Sequence, residues 1–194
     1  METVRKDGES ERSLKPDAEW QQLRALLPAA LVTDADLKAI AWRPGEDYWV
    51  FAYGSLLWDP GLPVVAVYPA WLRGYHRSFC IRSWHYRGTQ EAPGVVLGLK
   101  PGGSCRGAVL RVAADTVPAT LIALWEREMI TRAYRPHRVS VQVTGSRCIK
   151  ESVREGACFK TISEMEGQKC SSLPASVPFP VSALVFSALI NHPQ

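Results

Sequence analysis

The chain has 194 residues, of which 46% are hydrophobic and 22% are charged, a balance that is ordinary for a soluble globular protein. The net charge is only +4 and the arginines are scattered along the chain, which argues against a nucleic-acid-binding surface. No apolar run reaches the roughly 20 residues that a membrane span needs. We therefore expect a folded core whose partners include neither nucleic acid nor a membrane.

Cysteine and histidine content bears on metals, disulfides and compartment. The five cysteines are odd in number and form no C-x-x-C pair, and the four histidines lack the spacing of metal ligands. We expect neither a disulfide framework nor a metal site. Free thiols fit a reducing compartment, and the polar N-terminal stretch lacks the apolar segment of a secretory signal, so the predicted location is cytoplasmic.

The first 45 residues divide into a tail and a helical extension. Residues 1–16 carry many charges and few apolar side chains, and we expect them to be disordered. Over residues 17–45, apolar positions recur at helical spacing, although Pro28 should end or bend the first helix. Thr33 is a candidate N-cap for a second, short helix through Leu37 and Ile40.

Residues 46–145 have the composition of a folded core. A strand rich in β-branched and aromatic residues begins at Tyr48 and is interrupted at Gly54 and Ser55. Prolines at positions 60, 63 and 69 are expected to break the chain before a strand or strand pair over residues 71–82. Residues 95–99 and 106–112 predict a β-hairpin that turns at Gly102 and Gly103.

A helix, a strand and an irregular segment follow. Asp115 and Pro118 are helix-start signals, and the predicted helix runs to about Thr131. Residues 138–143 alternate as a strand. Residues 146–180 are polar and aperiodic and predict a disordered insert, and residues 181–194 supply one more strand of the core. Strands arranged with one central helix favour an α+β fold with a curled sheet.

The first candidate for chemistry is the segment after the strand at Tyr48. Gly54 and Ser55 at a strand end let the backbone turn sharply and approach a ligand closely. Backbone N–H groups in such a turn can bind an anion or oxyanion. The alternative is a tight turn between a core strand and a core tryptophan. Ser55 itself lacks a nucleophile elbow and an evident histidine partner.

The second candidate is a glutamate on the predicted helix. Leu121, Leu124 and Trp125 form an apolar stripe at i, i+3, i+4 spacing. The next position on that stripe is Glu128, whereas Glu126 lies on another face. A carboxylate that extends an apolar stripe loses solvation, which raises its pKa and suits it to general acid–base work. The alternative is a helix-end glutamate that reaches solvent or pairs with an arginine.

Three arginines are weaker candidates. Arg82, Arg87 and Arg106 could each bind a substrate carboxylate, although a surface role suits any one of them. Gly102 and Gly103 could cradle a phosphate, but a turn explains them as well.

Several sequence blocks together resemble a known family. WVFAYGSLLW is similar to the W-V-F-G-Y-G-S-L-x-W signature of ChaC-type γ-glutamylcyclotransferases. The resemblance continues through LRGYHRSFCIRS, RGTQEAPGVVLGL, GGSCRGAVLRV and LWEREMITRAYRP, in the order of the family. It covers roughly residues 48–143, and rare residue types stand in fixed register.

The resemblance implies a fold, an activity and a site. The fold is a small mixed β-barrel with surrounding helices, and the activity is cleavage of glutathione to 5-oxoproline and cysteinylglycine without a cofactor. The catalytic acid/base falls on Glu128, and Tyr134 is expected to line the pocket. The family's substrate loop falls on Val50, Phe51, Ala52, Tyr53, Gly54 and Ser55, with Leu56 adjacent.

This sequence departs from the family pattern in two places. Ala52 replaces a usual glycine, and its methyl group is expected to crowd the pocket or to require a compatible φ. Relative to the family pattern, we expect about 35 residues before the strand at Val181 to be an insertion and the C-terminal helical segment of the family to be missing.

Two other functions therefore stay open. The chain could act on other γ-glutamyl compounds, or it could be a truncated, non-catalytic relative that only binds a ligand or partner. The sequence does not indicate an oligomeric state.

Overall fold

The structure is a computed structural model that describes residues 21, 22, 24, 25, 27, 32–129, 132–144 and 181–187. The disordered tail predicted for residues 1–16 and the insert predicted for residues 146–180 lie outside the described residues. Besides the helical residues 21, 22, 24 and 25, the described part of the chain contains three α-helices, one 3₁₀ turn and five strands. They are α1 (Asp34–Ile40), β1 (Tyr48–Ala52), α2 (Ser55–Trp58), β2 (Val64–Gly88), β3 (Pro93–Val112), the 3₁₀ turn (Ala114–Thr116), α3 (Val117–Glu128), β4 (Arg135–Val143) and β5 (Val181–Ser187).

The five strands close into a barrel in the order β1-β3-β2-β4-β5. Strand β5 completes the ring by pairing antiparallel with β4 and parallel with β1, where Val50 lies opposite Leu184. The other pairs are antiparallel. The predicted α+β class and mixed barrel are therefore confirmed, and so is a core strand that begins at Val181.

Side chains of β1 alternate between two apolar clusters, because successive residues of a strand point to opposite faces. Val50 and Ala52 pack in a cluster with residues of α1 and α3. Phe51 and Tyr53 belong to a second cluster, which contains residues of all five strands. Burial on both faces explains why the sequence of β1 is a continuous apolar run.

Helix α1 forms where the capping signal placed it. The Thr33 side chain accepts a hydrogen bond from the Asp36 N–H, and the Asp36 carboxylate accepts one from the Thr33 N–H. This reciprocal arrangement satisfies N–H groups that the helix itself leaves without partners. The helix buries Leu37 and Ile40. Of the helix predicted before it, residues 21, 22, 24 and 25 are helical and the other positions of the pattern, Leu27 excepted, lie outside the described residues.

The predicted hairpin turn at Gly102 and Gly103 is wrong. Both residues lie inside β3, which stays paired with β2 from Val112 to Pro93, and the chain reverses instead at residues 89–92. Gly102 and Gly103 have φ of 92° and 73°, and they lie opposite Gly74, whose φ is 84°. Two residues opposite one make a bulge, and glycine tolerates these positive φ angles. The glycines therefore bend the long β2–β3 ribbon without ending it.

The prediction that Pro69 breaks the chain is also wrong, because Pro69 lies within β2. The Pro69 carbonyl accepts the Thr144 N–H at 2.9 Å, just beyond the end of β4 at Val143. The N–H and the carbonyl of one strand residue point to the same side, so the N–H that Pro69 lacks would also point toward the end of β4. On that side the ladder has already ended, and the pairing of Pro69 with Ala108 of β3 is retained.

Candidate active site

A cavity of about 520 Å³ lies at the end of the barrel where β1 and β5 terminate. Its size falls within the range of small-molecule sites. Its walls come from the segment after β1, the last turn of α3, the β2–β3 ribbon and the end of β5. The lining residues are Phe51, Tyr53, Gly54, Ser55, Leu56, Trp58, Phe79, Arg87, Val96, Leu97, Arg127, Glu128, Tyr134 and Phe186.

The segment after β1 makes a sharp turn into the single-turn helix α2. Gly54 is the residue before the helix, and its carbonyl accepts the Leu57 N–H at 2.8 Å. A Cβ at Gly54 would find no heavy atom closer than Leu97 Cδ2, at 3.7 Å. The glycine therefore leaves an open approach to the backbone of the loop, between the barrel and the ribbon.

Tyr53 anchors this loop to the neighbouring strand β5. Its hydroxyl donates a hydrogen bond of 2.9 Å to the Phe186 carbonyl on β5. Burial raises the pKa of Tyr53 well above its ordinary value, and the neighbouring Tyr134 and Glu128 raise it further. Tyr53 is therefore a neutral donor, and its hydrogen bond fixes the loop with respect to β5.

Glu128 is the last residue of α3 and faces the cavity. Its side chain is only 13% exposed, and burial raises the pKa of its carboxyl, an effect that the adjacent Arg127 partly opposes. The apolar stripe of Leu121, Leu124 and Trp125 is buried as the periodicity predicted. The helix ends at Glu128, three residues before the predicted end at Thr131, and Met129 caps it by donating its N–H to the Trp125 carbonyl.

Arg127 connects the end of α3 to the segment after α2. Its Nη1 donates to the Asp59 carbonyl at 2.7 Å and to the Pro60 carbonyl at 3.3 Å. Its Nε lies 3.5 Å from Glu128 Oε1, too long for a strong charge-assisted hydrogen bond but close enough for a direct electrostatic attraction.

Tyr134 joins the ribbon to the region after α3. Its hydroxyl donates to the Leu97 carbonyl on β3 at 2.8 Å, and its ring lines the cavity. The hydrogen bond holds one edge of the ribbon against the mouth of the barrel. The ribbon presents Phe79 and Val96 to the same space.

The cavity brings together most of the residues proposed from the sequence, but not all of them. Val50 and Ala52 do not line it, because they point to the opposite face of β1 and pack against the helices. The expectation that the Ala52 methyl crowds the pocket is therefore wrong, and Ala52 has no positive φ. The residues that do line the cavity are Phe51, Tyr53, Gly54, Ser55, Leu56, Glu128 and Tyr134.

Seven lining residues were not proposed as site residues from the sequence. Among the three arginines considered, Arg87 lines the cavity, whereas Arg82 and Arg106 do not, and Arg106 stacks over the Trp71 ring. Arg127 could have been proposed from the sequence, because it is a charged residue next to Glu128 at the end of the predicted helix. Phe79, Val96 and Leu97 line the cavity because the ribbon folds over the barrel. Trp58 and Phe186 come from α2 and β5.

Three general features concern the described residues alone. No group of three or more His, Cys, Asp or Glu is close enough there to hold a metal ion. Cys80 and Cys105 are free thiols. No helix in this part of the chain has the length and apolar character to cross a membrane.

Comparisons with known proteins agree with these observations. The family model described as ChaC-like protein matches residues 48–174. The glutathione-specific gamma-glutamylcyclotransferase of Escherichia coli is 39% identical over 131 residues, which cover 66% of this chain and 57% of the relative. The enzyme of the same name from Schizosaccharomyces pombe is 45% identical over 58 residues, 30% of this chain and 29% of the relative. The chain thus spans less than two thirds of the length of these relatives.

A solved structure supports the fold. The crystal structure of a γ-glutamyl cyclotransferase specific to glutathione from yeast has a TM-score of 0.52 to this chain, at 22% identity. The similarity covers 73% of this chain and 69% of the yeast chain. At that identity the likeness shows a shared fold.

Proposed function

The chain belongs to the ChaC-like protein family, and from this membership we propose that it is a γ-glutamylcyclotransferase that cleaves glutathione to 5-oxoproline and cysteinylglycine. The observation that carries the proposal is the position of Glu128. It is a largely buried carboxyl with a raised pKa, in a cavity that it shares with the loop at residues 53–56. The names of the Escherichia coli and Schizosaccharomyces pombe relatives support the choice of substrate.

The proposed reaction is intramolecular. The α-amine nitrogen of the glutamyl group attacks the γ-carbonyl carbon, and a five-membered ring forms. The resulting tetrahedral oxyanion collapses, the bond to the cysteine nitrogen breaks, and that nitrogen takes up a proton. Because nucleophile and electrophile belong to one molecule, much of the entropic cost is removed, provided that the enzyme holds the substrate folded.

We assign Glu128 the proton transfers. Its carboxylate accepts a proton from the α-ammonium, which creates the nucleophile, and the carboxyl then gives that proton to the departing amine nitrogen. The carboxylate so regenerated takes the second proton from the new ring nitrogen and passes it to the released amine, which leaves Glu128 in its starting form. Burial suits both steps, since a raised pKa brings the two protonation states closer in free energy near neutral pH.

We assign the loop after β1 to recognition and charge stabilisation. Backbone N–H groups at residues 54–56 would meet the oxyanion, in the manner of an oxyanion hole. Tyr53 would hold the loop through its bond to the Phe186 carbonyl. Phe51 and Tyr134 would form apolar walls on either side of the substrate. Val50 and Ala52 would contribute by backbone position, since their side chains lie in the core.

The proposal extends to the setting of the enzyme. The free thiols of Cys80 and Cys105 fit the reducing conditions of a cytoplasmic location. The small molecule glutathione is the proposed partner.

The decisive test is release of 5-oxoproline from glutathione by the purified 194-residue protein. We expect turnover with glutathione and none with N-acetylglutathione, whose blocked α-amine cannot attack. Faster turnover of γ-glutamyl-alanine than of glutathione would shift the substrate assignment to other γ-glutamyl compounds. Absence of 5-oxoproline with every γ-glutamyl compound would favour a non-catalytic relative and overturn the proposal.

A further inference from the structure

Arg127 makes contacts that a solvent-facing arginine at a helix end would not need. Its Nη1 donates to two successive carbonyls, those of Asp59 and Pro60. Asp59 is itself bonded to α2, because its N–H donates to the Ser55 carbonyl at 3.0 Å. A Cβ at Gly61 would lie 3.5 Å from the same Nη1. The guanidinium, although 30% of the side chain is exposed, is therefore bound to the segment that leaves α2.

The same side chain also reaches the carboxylate of the adjacent residue. Adjacent residues of a helix do not usually face each other, because they are about 100° apart around the axis. Here Arg127 Nε nevertheless lies 3.5 Å from Glu128 Oε1, and both side chains line the cavity. One rigid guanidinium thus contacts both the Glu128 carboxylate and the segment at Asp59 and Pro60 that follows the loop and α2.

We propose that Arg127 is a positioning residue that fixes the Glu128 carboxylate relative to the loop after β1. This inference rests on the proposed function, since it assigns a role beside the proposed acid/base. The planar fork of arginine offers five donors in fixed directions, so it can bind two carbonyls and still face a carboxylate. A lysine ammonium is a compact charge without that geometry.

Several charged or titratable groups face Glu128 across the cavity. Tyr53 follows β1, Tyr134 follows α3, and Arg87 lies on the ribbon. Arg127 is the group that lowers the pKa of Glu128, against the larger effect of burial. Removal of the Arg127 charge should therefore raise the pKa of Glu128, and the active carboxylate form should then require a higher pH.

The test combines an activity-independent titration with kinetics on four proteins. The ¹³C resonance of the Glu128 carboxyl, identified by its loss in Glu128→Gln, is followed against pH in the wild type and in Arg127→Gln, Arg127→Lys and Arg82→Gln. Arg82 is an exposed ribbon arginine outside the cavity and serves as the matched control. The kcat and KM for glutathione are measured across the same pH range, and circular dichroism checks folding.

For Arg127→Gln we expect a Glu128 titration at higher pH and a kcat lower by roughly 10–100-fold, since displacements of about 1 Å can cost a factor of that size. KM should change less than kcat. Arg127→Lys should leave the titration near that of the wild type but still lose kcat, and Arg82→Gln should match the wild type in both measurements.

An unmoved titration in folded Arg127→Gln, or a wild-type kcat in Arg127→Lys, would overturn the inference. If Arg127→Gln does not fold, the lysine variant decides by its kcat. If the wild type itself shows no turnover, the proposed function fails, and the titration still decides whether Arg127 controls the Glu128 carboxylate.

Discussion

Replacement of Glu128 by glutamine is the most direct test of the proposed chemistry. The substitution keeps the shape of the side chain and its capacity for hydrogen bonds, but an amide cannot accept the proton of the substrate ammonium. Because Glu128 is largely buried at the end of α3 and its neighbours are retained, we expect the cavity to keep its form. Ligand binding should survive, since the loop after β1 supplies much of the recognition.

The expected magnitude follows from the other groups that line the cavity. Glu128 is the one carboxylate among the described lining residues. The hydroxyls of Tyr53 and Tyr134 already donate to backbone carbonyls, and the raised pKa of Tyr53 makes it a poor source of a base. General acid–base groups contribute about 10²–10⁴-fold, and with no substitute base the loss should lie near the upper end. A 10⁴-fold loss corresponds to about 5.4 kcal/mol of barrier.

The assay is release of 5-oxoproline from glutathione by Glu128→Gln, with Glu126→Gln as the control. Glu126 lies two residues away on the same helix, is exposed and does not line the cavity, so its variant should keep wild-type activity. Retention of more than about a tenth of the activity in Glu128→Gln, well outside the usual range for such groups, would refute the assigned mechanism while leaving the family membership intact.

Three further predictions follow from the described geometry. Gly54→Val should cause a large loss of kcat/KM with the fold retained, because the new side chain would occupy the approach to the loop; near-normal kinetics would mean that the loop is only a turn. Gly107→Ala should lower the Tm by several degrees, because its Cβ would lie 2.3 Å from the Ala52 carbonyl oxygen and overpacking costs about 1–3 kcal/mol. Gly54→Ala is the control and should keep the Tm, because its Cβ would lie 3.7 Å from Leu97 Cδ2. Glu128→Gln should raise the Tm at pH 8 relative to the wild type but not at pH 4. The pKa of Glu128 is raised in the folded state, so the wild type loses stability as the pH rises from the unfolded pKa of about 4.3 through the folded pKa. An equal Tm difference at both pH values would contradict this.

Local signals in the sequence were enough for several elements and for the central residue of the site. Thr33 and the apolar positions that follow it determine α1 through contacts within one turn. The stripe of Leu121, Leu124 and Trp125 determines which face of α3 is buried, and a glutamate on that stripe has to lie at the edge of the core. Such features depend on residues that are close in the chain, so periodicity and capping rules suffice to predict them.

The ribbon could not be predicted in the same way. Gly102 and Gly103 have the composition of a hairpin turn, and only the long-range pairing of β3 with all of β2 makes them a bulge. The ribbon also brings Phe79 and Leu97 to a cavity whose other walls lie far away in the sequence. Similarly, the family motif marked Val50 and Ala52 together with their neighbours, although strand alternation directs their side chains to the core.

Three hydrogen bonds around the cavity share one property: each runs from a side chain of the site to a backbone carbonyl of another element. Tyr53 binds the Phe186 carbonyl of β5, Tyr134 binds the Leu97 carbonyl of β3, and Arg127 binds the carbonyls after α2. A backbone acceptor does not depend on the identity of its own side chain, but it does depend on the strand being in register. The position of the loop at residues 53–56 is therefore coupled to closure of the barrel by β5, through the backbone of Phe186.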